Sequence, residues 1–186
     1  MATIISHAVA AVGIAALFPA RSLKPRVWVA GAVFAMLPDA DVMSFRFGIA
    51  YGDVLGHRGF AHSLMFAAVL GVLGAFTLFP RARPTLNRGL VALYLFLATA
   101  SHGVLDALTN GGHGVAFFAP FYNSRYFFPF SPIEVSPIGI SRFFSTRGAE
   151  VLRNEILWIW LPAAAAIVTA GIFRRARRSA AAAVRL

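Results

Sequence analysis

At 186 residues, with 59% hydrophobic side chains and a mean hydropathy of +0.72, the chain has room for one domain and lies well beyond ordinary soluble composition. A formal net charge of +10 would suit nucleic acid, but the arginines stand in short runs between apolar segments, as in loops beside anionic lipid, so nucleic-acid binding is set aside. The chain has no cysteine, which excludes thiolate metal ligands, thiol nucleophiles and disulfides.

The pattern predicts an all-α, polytopic membrane protein of about five transmembrane helices, with a long aromatic-rich loop before the last. Residues 1–173 form a single domain with a metal site, and 174–186 form a basic cytoplasmic tail. The first span is expected over residues 2–20, close to the length of about 20 needed to cross the hydrocarbon, with His7 its only ionisable group. No basic run precedes it, so it reads as a retained membrane helix rather than a cleaved signal. After Arg21, Lys24 and Arg26, the run from Val27 to Leu37 reaches spanning length only if the helix continues through Pro38 to about Phe45. That continuation puts Asp39 and Asp41 at the membrane rim.

Residues 46–61 read as a Gly-rich polar loop, and His62 to Phe79 as the third span, free of charge and ending at Pro80. A second basic connection carries Arg81, Arg83 and Arg88. The fourth span, Gly89 to Leu108, brings His102 and Asp106 in its last turns before TNGGHG ends it. Residues 110–154, rich in Phe, Tyr, Pro and Gly, form the long connection, expected as a flap in the headgroup region. Glu155 to Phe173 is the fifth span.

Threaded this way, eleven of the 17 basic residues fall on one side (Arg21, Lys24, Arg26, Arg81, Arg83, Arg88 and the tail), which positive-inside assigns to the cytoplasm. The other, extracytoplasmic face then receives His7, Asp39, Asp41, His57, His62, His102 and Asp106 together. Isolated carboxylates and imidazoles this close to hydrocarbon cost several kcal/mol unless paired or coordinated, so these seven are the candidate metal ligands, enough for one or two divalent ions.

Individual clusters admit plainer readings. His102 and Asp106, four apart, share a helix face and can close on one ion, or tether two helices by a hydrogen bond. His57 and His62, five apart, would diverge by roughly 140° on a continuous helix, so their convergence needs a turn at Arg58-Gly59. Asp39 and Asp41 in a bend can offer two carboxylates to one centre, or stand solvated at a helix end. Arg58, Arg125 and Arg142 are candidate substrate-binding groups for a phosphate or developing oxyanion, with Arg58, Asp39 and His57 as candidate catalytic residues. Asp53, His113 and Glu134 lie on the same side and can serve as base or extra ligand.

The order His7, LPDAD, HRGFAHS, SHGVLDALTNGG and a Pro/Phe-rich segment with arginine resembles the YdjM family of LexA-regulated, membrane-bound, metal-dependent hydrolases, over roughly residues 1–160. The family commonly has threonine where this chain has Ala61, which loses a hydroxyl and no ligand. The resemblance implies a hydrolase mechanism and no particular substrate. The expected function is hydrolysis of an ester or phosphoester bond by a metal-activated water, on a membrane lipid or lipid-linked substrate, in a bacterial or archaeal cytoplasmic membrane. Zinc is the first expectation for the cofactor, with manganese or iron as alternatives. The competing function is a non-enzymatic membrane protein that binds, senses or transports a metal.

Overall fold

The computed structural model describes residues 1–19, 23–79, 87–137 and 140–183. Among these it contains no strand, only two isolated bridges, Thr109 with Ile133 and Val115 with Tyr126. The helices are α1 (Ile4–Leu17), α2 (Pro25–Met36), α3 (Leu64–Thr77), α4 (Arg88–Ala107), the short α5 (Ile140–Phe143), α6 (Thr146–Glu155) and α7 (Leu161–Ala183).

Three helical runs are long and apolar enough to cross a membrane: Pro25–Phe47, Arg88–Ala107 and Thr146–Ala181. The other two apolar helices, α1 and α3, have 14 residues each. At 1.5 Å per residue they rise about 21 Å, short of the hydrocarbon thickness of about 30 Å. Three of the five expected spans therefore have spanning length. The last helix also differs from expectation. It begins at Thr146, inside the expected loop, and runs on through Arg174–Arg178 to Ala183 instead of ending at Phe173. Arg21, Pro80, Arg81 and Arg83, on which the basic connections were drawn, lie outside the described residues.

Two prolines explain the irregular helices. Pro38 has no N–H and its ring crowds the preceding turn, so α2 tightens at Leu37, whose N–H bonds to Phe34, into a 3₁₀ segment, Leu37–Phe47. Pro162 lies just beyond a π turn, Ile156–Trp160, which joins α6 to α7 and absorbs its missing donor in the same way.

Small residues set the helix spacing. A Cβ added at Gly71 would stand 2.8 Å from the Phe96 nitrogen, so α3 and α4 touch backbone to backbone along Ala67, Gly71 and Ala75. Tyr94 fills the crossing of α1, α2 and α4, its hydroxyl donating to the Ala11 carbonyl at 3.2 Å. The helices end together at one pole: the start of α1 and α3, the end of α4, the 3₁₀ segment and the π turn. Arg174, which donates to the Phe18 carbonyl at 2.7 Å, and Arg26 and Arg88, which sit over the Phe79 and Phe76 rings, mark the opposite pole.

A buried acid fastens the first pole. Glu155, fully buried, accepts from the Thr3 N–H (2.5 Å), the Thr3 hydroxyl (2.5 Å) and the Ser6 hydroxyl (2.7 Å), at the N-terminus of α1 where the helix dipole favours a negative charge. Trp160 donates its indole N–H to Ser6 at 2.8 Å and closes the network. Glu155→Ala strands these donors and is expected to cost on the order of 3 kcal/mol, read as a lowered midpoint of thermal unfolding in detergent. An unchanged midpoint would refute this account of how α1 is held.

Candidate metal centre

The 3₁₀ segment decides where the two acids of LPDAD go. At three residues per turn, side chains two apart project about 120° from each other. Asp39 and Asp41 accordingly part company, each facing different histidines. Asp39 Oδ1 lies 3.3 Å from His102 Nε2, whereas Asp41 faces His57 and His62.

The HRGFAHS stretch makes the turn that convergence demands. Arg58 adopts a left-handed φ of 61°, rare for a residue with a Cβ, and Gly59 presses on the Val54 carbonyl where a side chain would collide. His62 ends a single 3₁₀ turn, Phe60–His62, just outside α3, because Ser63 is the helix N-cap and accepts from the Phe66 N–H at 3.0 Å. The expected start of the third span at His62 therefore moves to Leu64. His57 and His62 come together, ring centroids 5.4 Å apart.

His102 and Asp106 occupy the last turns of α4, and His7 the second turn of α1. The ring of His7 stacks on that of His102 at 3.5 Å. Asp106 is the hub. Its Oδ2 lies 3.1 Å from Arg58 Nε, 3.4 Å from His62 Nε2 and 3.9 Å from His102 Nε2. Its Oδ1 accepts from the Ala2 N–H at 2.9 Å and lies 3.6 Å from His7 Nε2. All of these side chains are buried, and His7, Arg58, His102 and Asp106 wholly so.

The donor atoms of Asp39, His62, His102 and Asp106 all lie within 4.8 Å of one another. Ligands about 2.0–2.2 Å from a shared ion at tetrahedral angles stand roughly 3.3–3.6 Å apart; across this set Asp39–His102 at 3.3 Å and His62–Asp106 at 3.4 Å match that spacing, and His102–Asp106 at 3.9 Å is a little wider. Both oxygens of Asp39, both nitrogens of His7, His62 Nε2 and His102 Nε2 make no hydrogen bond within the chain. Such atoms cost about 1–3 kcal/mol each when buried unsatisfied, and a cation removes that penalty. His102 is also aimed: its Nδ1 donates to the Ala35 carbonyl at 2.7 Å, which leaves the Nε2 lone pair turned toward the cluster.

A second group, Asp41, His57 and His62, has similar compactness, but its spacing differs. His57 Nδ1 is 2.6 Å from Asp41 Oδ1, too close to share an ion and the length of a charge-assisted N–H···O bond. Asp41 Oδ2 accepts from the Arg58 N–H at 3.1 Å and stands 3.1 Å from His62 Nδ1. Asp41 thus sits where an outer carboxylate orients a ligand histidine.

The guanidinium of Arg58 is spent on Asp106, on the Thr109 hydroxyl (3.0 Å) and on the Gly111 carbonyl (2.9 Å). Arg125 donates to the carbonyls of His57 and Tyr51, both at 2.9 Å, and so clamps the loop that carries His57. Arg142 is exposed on α5. Asp53 accepts from the Ala50 N–H at 3.1 Å in its own turn, and the His113 ring lies 4.5 Å from that of Tyr51. Glu134 pairs with Arg147, whose hydrogen bond holds the Glu134 carboxyl below its usual range. None of these last four belongs to the buried donor set.

Three contributors were missed in the sequence. Glu155 was taken only as the start of a span, although an acid opening an apolar run is itself a signal. TNGG was read as a helix terminator, yet Thr109, Gly111 and Gly112 (φ 92°) form the cradle of Arg58. The Ala2 N–H left no side-chain signal at all.

These features define an integral membrane protein whose helices end on a buried cluster of imidazoles and carboxylates. The chain belongs to the YdjM family: the model of that family, described as YdjM inner membrane protein, matches residues 1–178. It is similar to the inner membrane protein YbcI of Escherichia coli (strain K12), 43% identical over 164 residues that cover 87% of this chain and 92% of that protein. No solved structure matches the chain.

Arg58→Leu leaves Asp106 buried without its partner and is expected to cost on the order of 3–5 kcal/mol in chemical denaturation in detergent. A loss below about 1 kcal/mol, the size of an exposed ion pair, would show that Arg58 does not anchor the cluster.

Proposed function

We propose that this protein is a membrane-embedded, metal-dependent hydrolase of an ester or phosphoester bond in a lipid or lipid-linked molecule. Asp39, His62, His102 and Asp106 hold one divalent ion, and His7 stands beside them as a further donor. The observation that carries the reading is the convergence of four buried ligand side chains, Asp39, His62, His102 and Asp106, whose donor atoms lie within 4.8 Å of one another. When bound, the ion supplies Lewis acidity and an activated water. Zinc fits the imidazole and carboxylate donors first, and manganese or iron fit them next.

The chain's own residues have distinct parts in this. His102 is held in one tautomer by Ala35, and Asp41 orients His62. Arg58 holds Asp106 in place, a positioning role that takes precedence over anion binding because its forked donors are engaged. His57, tied through Nδ1 to Asp41, has the histidine–carboxylate pairing of a general base and is the candidate to move a proton. Arg142, exposed on α5, is free to meet a headgroup. The concentration of arginine at the opposite pole supports the site facing away from the cytoplasm, with all five apolar helices threaded through the membrane.

The test is elemental analysis of the purified protein alongside hydrolysis of fluorogenic lipid esters and phosphoesters. One divalent ion per chain is expected, lost together with hydrolysis in His102→Ala and Asp106→Ala. Asp41→Ala retains the ion with affinity lowered about 10–100-fold, as for an orienting carboxylate. Protein without stoichiometric metal, or hydrolysis that survives both ligand substitutions, refutes the proposal.

A further inference from the structure

The cluster is not sealed on all sides. A cavity of about 430 Å³ runs inward between the first turn of α1, the 3₁₀ segment and the end of α5, and Asp39 lines its inner end. Its walls are mostly apolar, Ile4, Ile5, Val42, Pro137, Phe143 and Phe144, with Met1, Thr3 and Ser136 beside Asp39 and no lysine or arginine side chain. Asp39 is only 6% exposed, and neither carboxylate oxygen makes a hydrogen bond within the chain. An apolar passage therefore ends on an unpartnered carboxylate of the ligand set.

The mouth opens beside Ile4, 49% exposed, and Phe144, 80% exposed. In an integral membrane protein such side chains are surface that lipid covers, so the passage continues the acyl region of the bilayer into the protein. Among the described residues the one basic group of the lining is the Met1 amine, and a water-soluble ester would have to cross the apolar walls. We infer that this slot takes one acyl chain of a membrane glycerophospholipid, entering sideways from the leaflet with its polar end toward Asp39. The direction of insertion rests on the hydrolase reading above, since it places a linkage of the lipid next to the proposed metal ligands. The occupancy of the slot by a chain rests on the cavity and its walls.

The test uses the full-length protein in phosphatidylcholine and phosphatidylglycerol vesicles doped with a phospholipid that carries a photoactivatable diazirine in one acyl chain. Crosslinks are mapped by mass spectrometry. Labelling is expected to concentrate on Val42, Phe143 and Phe144 over the lipid-facing Val69 and Val72 of α3, and to fall roughly tenfold at the slot in Val42→Trp, the factor for one decade of affinity. Ile4→Trp, at the exposed mouth and outside the core, is expected to give the same loss if Val42→Trp does not fold. Equal labelling of slot and α3, or slot labelling untouched by a folded blocking variant, overturns the inference.

Metal content measured on the same preparations separates the two claims. Uniform labelling with metal retained overturns the slot alone. Slot-specific labelling in a protein that binds no metal supports the slot and removes the hydrolase reading.

Discussion

The structure turns on one carboxylate in an unfavourable place. Asp106 lies in the last turn of α4, where the helix dipole presents its negative end, and it is wholly buried. Nothing about α4 alone makes an ionised acid tolerable there. Its negative charge is met instead from outside the helix, by Arg58 through Oδ2 and by the Ala2 N–H through Oδ1. The remaining imbalance, shared with Asp39 and Asp41, is what a divalent cation would neutralise.

Glu155 shows what the same chemistry looks like when it is structural. It is equally buried, but it sits at a helix N-terminus and receives three donors from Thr3 and Ser6. With these donors in place it binds one helix to another. Asp39 keeps both oxygens without a hydrogen bond and faces His102 Nε2, which has none either. The contrast between a closed acid and an open cluster, at one pole of one fold, separates a fastening from a site.

Much of this was legible in residue order. The i, i+4 spacing of His102 and Asp106 placed both on one face of α4, and the gap of five between His57 and His62 required the turn that Arg58 and Gly59 make. What could not be read was geometry set by backbone irregularity. Pro38 showed where α2 would be disturbed, but the change to three residues per turn, which sends Asp39 inward to His102 and Asp41 across to His57, is not written in the spacing. Composition likewise marked apolar segments without their helical lengths, so α1 and α3 proved shorter than their apolar runs and the last helix longer. The different surroundings of Asp39 and Asp41 emerged only from distances: 2.6 Å from Asp41 to His57 is a hydrogen bond, and 3.3 Å between Asp39 and His102 is a spacing that a shared ion could fill.

The central claim concerns a shared cation, and X-ray absorption at the metal edge of the purified protein addresses it most directly. The account predicts one ion in a shell of mixed imidazole nitrogen and carboxylate oxygen at about 2.0–2.2 Å, with the imidazole contribution reduced in His62→Ala and His102→Ala and retained in His57→Ala. A shell without imidazole, or one that loses imidazole with His57 while ignoring His102, would contradict it.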